Sequence, residues 1–267
     1  MPQICLFTAQ HYLQRYNSSS QLSLAPFCTF TAGLGRTLAI SGSVTHSLPG
    51  RSRITRVETH ATRTQSLTSA PPVGWRHALP TFTGRLVTLR QIEVSDARAL
   101  LETMASDAVA RFISTPPHGL DEFERFIDRM RDEQRRGNYA CFAVVPTGET
   151  QAAGLFQVHS LEPGFASAEW GFALGMTHWG TGLFVEAATL ITGFIFDTLG
   201  ASRLEARAAL GNGRGNGALR KLGAVQEGLL RSAFLCRGEY HDVVLWSILA
   251  SDWRRARAGQ SLSAGVH

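Results

Sequence analysis

Glu169-Trp170-Gly171-Phe172-Ala173-Leu174, followed after four residues by Trp179-Gly180-Thr181-Gly182-Leu183-Phe184-Val185-Glu186-Ala187-Ala188, is the stretch on which the reading of this chain turns. Its first part has the texture of a buried strand, and its second is a glycine turn that opens a helix running to about Leu199, where Gly200 stops it. Such a turn leaves backbone N–H groups unpaired at the positive end of a helix dipole, a ready place for an anion such as a diphosphate. Glycine lets the backbone approach that ligand closely. A strand, a glycine turn and a helix also occur without any ligand, so the neighbouring sequence has to decide.

Upstream, Arg85-Leu86-Val87-Thr88-Leu89-Arg90 alternates as a half-buried strand does. Ala97, Leu100, Leu101 and Met104 form a helical stripe behind Ser95-Asp96, and Asp121 to Arg136 is a second amphipathic helix that stops at Gly137. The stretches Tyr139–Val145, Ala152–His159 and Ala166–Leu174 read as strands, and the short turns between them suit antiparallel hairpins. Downstream, Arg203–Leu210 is a strand and Gly217–Leu222 a short helix. Val225–Phe234 and His241–Leu249 are two last strands. The order β-α-α-β-β-β-α-β-α-β-β predicts an α/β domain with a mixed, partly antiparallel sheet. Gly211 to Gly217 superficially matches a dinucleotide fingerprint, but the helix behind it ends at Gly223, too short for a Rossmann unit.

Three blocks together carry a resemblance. The window above is similar to the acyl-CoA pyrophosphate loop of GNAT N-acetyltransferases, in the form found in RimJ/RimL-type ribosomal-protein N-terminal acetyltransferases. Asn212 to Gly228 resembles the family's N-x-x-S/N stretch followed by L-x-K-L-G, and Gly238-Glu239-Tyr240-His241-Asp242-Val243-Val244-Leu245-Trp246 its G-x-Y-x-D block. The blocks stand in the family's order and cover about Phe82 to Arg255.

The resemblance implies a GNAT fold: a mixed, mostly antiparallel central sheet of about seven strands with helices on both faces, its fourth and fifth strands splayed. It implies acetyl-CoA as co-substrate, with no metal. Phe172, Ala173 and Leu174 would then offer backbone groups to the pantetheine arm. Trp179, Gly180, Thr181, Gly182, Leu183 and Phe184 would hold the diphosphate, with the bulky Phe184 side chain turned away from it. Asn212 would hydrogen-bond near the pantetheine or to the loop backbone, Asn216 would complete the cofactor site, and Arg220 or Lys221 either meets a phosphate or lies on a solvated helix face. The family's serine, a proposed proton donor to the leaving thiolate, aligns with Gly215.

Acyl transfer to an amine needs a neutral nucleophile and a proton for the departing thiolate. Glu169 is the candidate base, beside the expected thioester, or else a structural carboxylate. Tyr240 is the candidate hydroxyl, or else a packed aromatic. The expected reaction is direct transfer of an acetyl group to a primary amine, of a protein N-terminus or a small molecule. The competing reading is a non-catalytic acyl-CoA-binding domain, prompted by Gly215. The acceptor site is expected between the loop Phe112–Leu120 and the hairpin Cys236–Asp242, with the pair His241 and Asp242 in reach. Only Glu239 and Asp242 are acidic near that hairpin, which leans away from polycationic acceptors.

Charge divides the chain. Residues 1–80 carry seven arginines and one acid, Glu58, whereas the remaining residues are almost balanced, with nineteen basic and twenty acidic side chains. The basic character of the whole therefore argues neither for nucleic acid nor for membrane as partner. Residues 1–80, poor in apolar periodicity, are expected to be a disordered extension, either a transit-like segment or leader upstream of the true start. Residues 81–256 form the catalytic domain in this reading and 257–267 a flexible tail. Four cysteines without metal-ligand spacing and the absence of an eighteen-residue apolar run suggest a cytoplasmic protein, and monomer or homodimer stays open.

Overall fold

A computed structural model describes residues 73–113 and 119–264. In chain order its elements are β1 (Phe82–Thr83), β2 (Val87–Gln91), α1 (Ala97–Ala105), the single turn α2 (Asp107–Ala110), α3 (Leu120–Arg136), β3 (Tyr139–Pro146), β4 (Gly154–Ser160) and β5 (Ser167–Leu174). Next come α4 (Leu183–Gly193), which runs on as a π-helical turn over Phe194–Thr198, then β6 (Arg203–Ala209), α5 (Gly213–Lys221), β7 (Val225–Cys236), β8 (Glu239–Leu249) and α6 (Ala250–Ala264).

The eight strands make one sheet in the order β1-β2-β3-β4-β5-β6-β8-β7. Only β5 and β6 run parallel, because only they are joined by a crossover helix, α4. Side-chain alternation sends residues to two cores. Ala140, Phe142 and Val144 of β3 pack with α4 and α5 on one face, and Tyr139, Cys141, Ala143 and Val145 pack with α1, α2 and α3 on the other. α3 buries Phe123, Ile127 and Met130, one stripe at helical spacing, and ends where Gly137 takes a left-handed φ of 82°. The fold is thus the mixed α/β sheet expected, with one strand more than seven.

Three boundaries differ from expectation. The domain begins before residue 81: Trp75 and Leu79 are buried, and the Trp75 ring meets Phe165 edge-on at 5.5 Å. Gln134 Nε2 donates to Trp75 O at 3.0 Å, and Leu79 N–H to Gln91 Oε1 at 2.9 Å. Two apolar side chains in an arginine-rich stretch leave no period to read, and only their partners reveal them. The earlier part of the extension, and Ser114 to His118 of the loop, lie outside the described residues. α5 begins at Gly213 rather than Gly217, since Asn212 Oδ1 accepts the Gly215 N–H at 2.9 Å and caps the helix. α6 runs to Ala264, past residue 257, where a tail was expected to begin.

The feature that prepares the site is a parting of strands. β5 and β6 pair from Ser167↔Arg203 to Trp170↔Ala206 and no further, although β5 continues to Leu174 and β6 to Ala209. This is the splay expected of the fourth and fifth strands of the family fold.

Candidate active site

Beyond Trp170 the β5 backbone faces two ways. Leu161 N–H donates to Ser167 O, and Ser202 N–H to Ala166 O, so odd-numbered residues turn their polar groups towards β4 and even-numbered ones towards β6. Phe172 and Leu174 therefore open into the splay. Ala173 does not: it lies opposite Leu155 and spends its backbone on the β4 ladder, which corrects its expected role. The Leu174 carbonyl already accepts the Trp179 indole N–H at 2.8 Å. That bond ties the glycine turn to the end of the strand.

In the turn, Gly180 and Gly182 have φ of 80° and 90°, conformations costly for other residues. Gly182 caps α4 without a side-chain hydrogen bond, as a residue with no side chain must, which leaves the first turn of the helix short of a cap. The Thr181 hydroxyl donates to His178 O at 2.9 Å and accepts from Leu183 N–H at 3.3 Å, bracing the turn. Phe184 turns its ring into the core, 4.2 Å from that of Phe172, as its bulk demanded.

Facing this turn across a cleft of about 350 Å³ is α5, which contributes Gly213, Arg214, Gly217 and Lys221. The Arg214 guanidinium stands 4.7 Å from the Trp179 ring. Two cations, four glycines without side chains and the N-terminus of α4 line one opening, an arrangement suited to a diphosphate. Arg220, by contrast, lies over Trp246 at 5.6 Å. Arg214, Gly213 and Gly217 were not singled out from the sequence, where a glycine-rich turn hid the helix that aligns them.

Asn212 and Asn216 do not line the cleft. Both are buried, and they hold α5 on the sheet. Asn216 Nδ2 donates to Ala209 O at 3.0 Å and Asn212 O at 2.9 Å, while its Oδ1 accepts the Trp246 indole N–H at 2.8 Å. Asn212 makes the backbone bond that was one of the two expectations for it, to Gly215 N–H, and both residues position the helix that bears Arg214 and Lys221.

On the opposite face, Glu169 is 1% exposed. Its Oε2 is paired with Arg207, and His159 Nε2 lies 3.5 Å away. Burial pushes the Glu169 carboxyl up to about 7, against the lowering effect of Arg207. Burial also lowers His159 to about 3, so its imidazole is neutral. His159 and Arg207 are the neighbours the sequence did not disclose, because register alone places them there.

Tyr240 is not brought to Glu169. It is 67% exposed, and along β8 it continues the row of Val244, Trp246 and Ile248, which face the core on the α4 and α5 side. Its neighbours Glu239 and His241 face the other way. With Asp107, Arg111, Phe112 and Arg237 they border a cleft of about 560 Å³ between α2 and the β7–β8 hairpin. Cys236 lies at its wall. Arg237 reaches Asp107 Oδ1 at 2.7 Å across it. Asp242 separates from His241: its Oδ1 accepts the Ser232 N–H at 2.8 Å on β7.

The strands part over a glycine turn, with a buried carboxylate on the opposite face of the sheet, and the comparisons give the family in which this arrangement stands. The chain belongs to the GNAT family of acetyltransferases: the family's acetyltransferase (GNAT) domain matches residues 86–225. It is 27% identical over 173 residues to the uncharacterized N-acetyltransferase p20 of Bacillus licheniformis, covering 64% of this chain and 97% of that one. It is 25% identical over 174 residues to YdaF of Bacillus subtilis, by name a proposed ribosomal N-acetyltransferase, covering 62% and 93%. Its fold matches the ribosomal-protein-S5-alanine acetyltransferase of Vibrio fischeri with a TM-score of 0.60 at 19% identity, over 65% of this chain and 98% of that one. The chain is therefore an acetyltransferase enzyme. Among the described residues no helix is long and apolar enough to cross a membrane.

Proposed function

We propose that the enzyme moves the acetyl group of acetyl-CoA directly to a primary amine held in the cleft between α2 and the β7–β8 hairpin. The observation that carries this reading is the cleft where Gly180 and Gly182 face Arg214 and Lys221, next to the splay into which Phe172 opens. The diphosphate would rest on the turn and on these two cations, and the pantetheine arm would pair with the Phe172 backbone. Glu169, held up to about 7, is the proton acceptor. It is half ionised near neutral pH, where a base that takes a proton from an ammonium is most effective.

The acceptor cleft carries the acids Asp107 and Glu239 against the bases Arg111 and Arg237. This balance suits the amino end of a peptide better than a polycation, in keeping with the naming of YdaF as a proposed ribosomal N-acetyltransferase. The test is thiol release from acetyl-CoA with a panel of peptides, amino acids, polyamines and aminoglycosides. Turnover with peptides beginning in small residues is expected. Preference for spermidine over every peptide would reverse the acceptor assignment.

A further inference from the structure

The charges bordering the cleft between α2 and the β7–β8 hairpin do not all find partners. Arg237 and Asp107 neutralise each other across it at 2.7 Å. Among the described residues, Arg111 and Glu239 make no ion pair, and residues 114–118, which follow Arg111 closely in the chain, contain no acid. Of the two, Arg111 is the one built into place. Its guanidinium stands 5.0 Å from the centre of the Phe112 ring, and that ring packs on the cluster of Ala209, Phe234, Cys236 and Val243. The Cys236 thiol donates towards the carbonyls of Arg111 and Ile113, at 3.6 and 3.7 Å. The Arg237–Asp107 pair ties the hairpin to α2 one turn earlier. A guanidinium stacked on a ring keeps its N–H edge free, and that edge matches a carboxylate through two parallel bonds. Glu239 follows Gly238 of the hairpin turn, and no hydrogen bond holds its side chain among the described residues.

Register gives the span between this cation and the place where strands part. At the inner end of the cleft Ala209, on the freed half of β6, pairs with Val243 of β8. At the outer end Cys236, whose thiol meets the Arg111 carbonyl, pairs with Glu239. From Val243 to Glu239 the strand runs roughly 13 Å, the length of about four extended residues. A free amino acid is too short to lie at both ends. We infer that Arg111 is a specificity-determining residue: it binds the side-chain carboxylate of an aspartate or glutamate at the second to fourth position of a peptide acceptor. The inference rests on the reading of this cleft as the acceptor site. With the peptide's amine at the splay, its next residues follow β8 outward and pass the Arg111 guanidinium on its aromatic support.

The experiment measures kcat/KM of the full chain by thiol release from acetyl-CoA. The acceptors are alanine pentapeptide amides with aspartate, asparagine or lysine placed in turn at the second, third and fourth positions. The wild type should prefer aspartate to asparagine by roughly five- to tenfold at one or more of these positions, the scale of a charge-assisted bond in a partly solvated cleft, with lysine last. Arg111→Gln should bring aspartate down to the level of asparagine and lower the asparagine peptide far less. A merely structural loss would lower both alike. Arg111→Glu should put lysine first, whereas Glu239→Gln should leave the aspartate preference standing. Equal use of aspartate and asparagine at all three positions, or a preference that survives Arg111→Gln, overturns the inference. Turnover of spermidine and of no peptide instead overturns the acceptor reading beneath it.

Discussion

The ring of Phe184, first turn of α4, packs 4.2 Å from the ring of Phe172 on the freed half of β5. This contact sets the glycine turn against the strand, so the part of the site expected to bind phosphate and the part expected to bind pantetheine share one apolar anchor. Phe156 completes it at 5.9 Å from Phe184.

Replacing Phe184 by alanine should therefore cost about 3–5 kcal/mol of stability, as large-to-small changes in a packed core do. Acetyl-CoA affinity should fall with it, whereas Phe184→Leu should retain most of both. Urea unfolding and calorimetry of the same samples report the two effects, and an unchanged affinity in a destabilised Phe184→Ala would uncouple the turn from the strand.

Gly182→Asp places a side chain at φ 90° and a negative charge at the N-terminus of α4. Strain and repulsion together should weaken acetyl-CoA binding by roughly tenfold or more. Gly182→Ala, which carries the strain alone, should weaken it less. Near-normal affinity of the aspartate variant in calorimetry refutes the loop assignment.

Arg214→Ala and Lys221→Ala should each weaken CoA binding by roughly three- to tenfold, and more at low salt than at high. Neither should change the affinity for pantetheine, which lacks the diphosphate. Equal losses for both ligands would mean that the substitutions disturb α5 rather than remove phosphate contacts.

Glu169→Gln should lower turnover much more than acetyl-CoA affinity and abolish the rise in kcat/KM with pH centred near 7. A wild-type profile flat through that region would remove Glu169 from the chemistry.

Stability offers an independent check on Glu169 and His159. Glu169, raised from 4.5 to about 7, holds its proton more tightly when folded, so it contributes stability that declines as pH rises through that window. His159, lowered from 6.5 to about 3, is protonated more readily when unfolded, so its contribution is lost as pH falls through that window. The two oppose each other where the windows overlap. Glu169→Gln should make the acid loss between pH 7 and 5 steeper, and His159→Gln should make it shallower. Urea unfolding at the two pH values measures the slopes, and the reverse ranking would show that burial does not govern these groups.

Periodicity, glycines and three sequence blocks were enough to reveal the mixed sheet, the strand β5 that carries Glu169 and the glycine turn opening α4, because these features are local: a run of alternating side chains, or a dipeptide that only a turn accommodates. Trp75, joined to the core across 90 residues by Phe165, carried no such mark. Nor did Arg214, which becomes part of the cleft only because Asn212 caps α5 and Asn216 fastens it to Trp246. Tyr240 was a reasonable candidate until the alternation of β8 set it on the face opposite Glu169. Which strands part, which face a side chain takes, and which buried atoms remain unpaired depend on register between segments distant in the chain. Register is a property of pairs of strands, and a linear pattern describes one strand at a time.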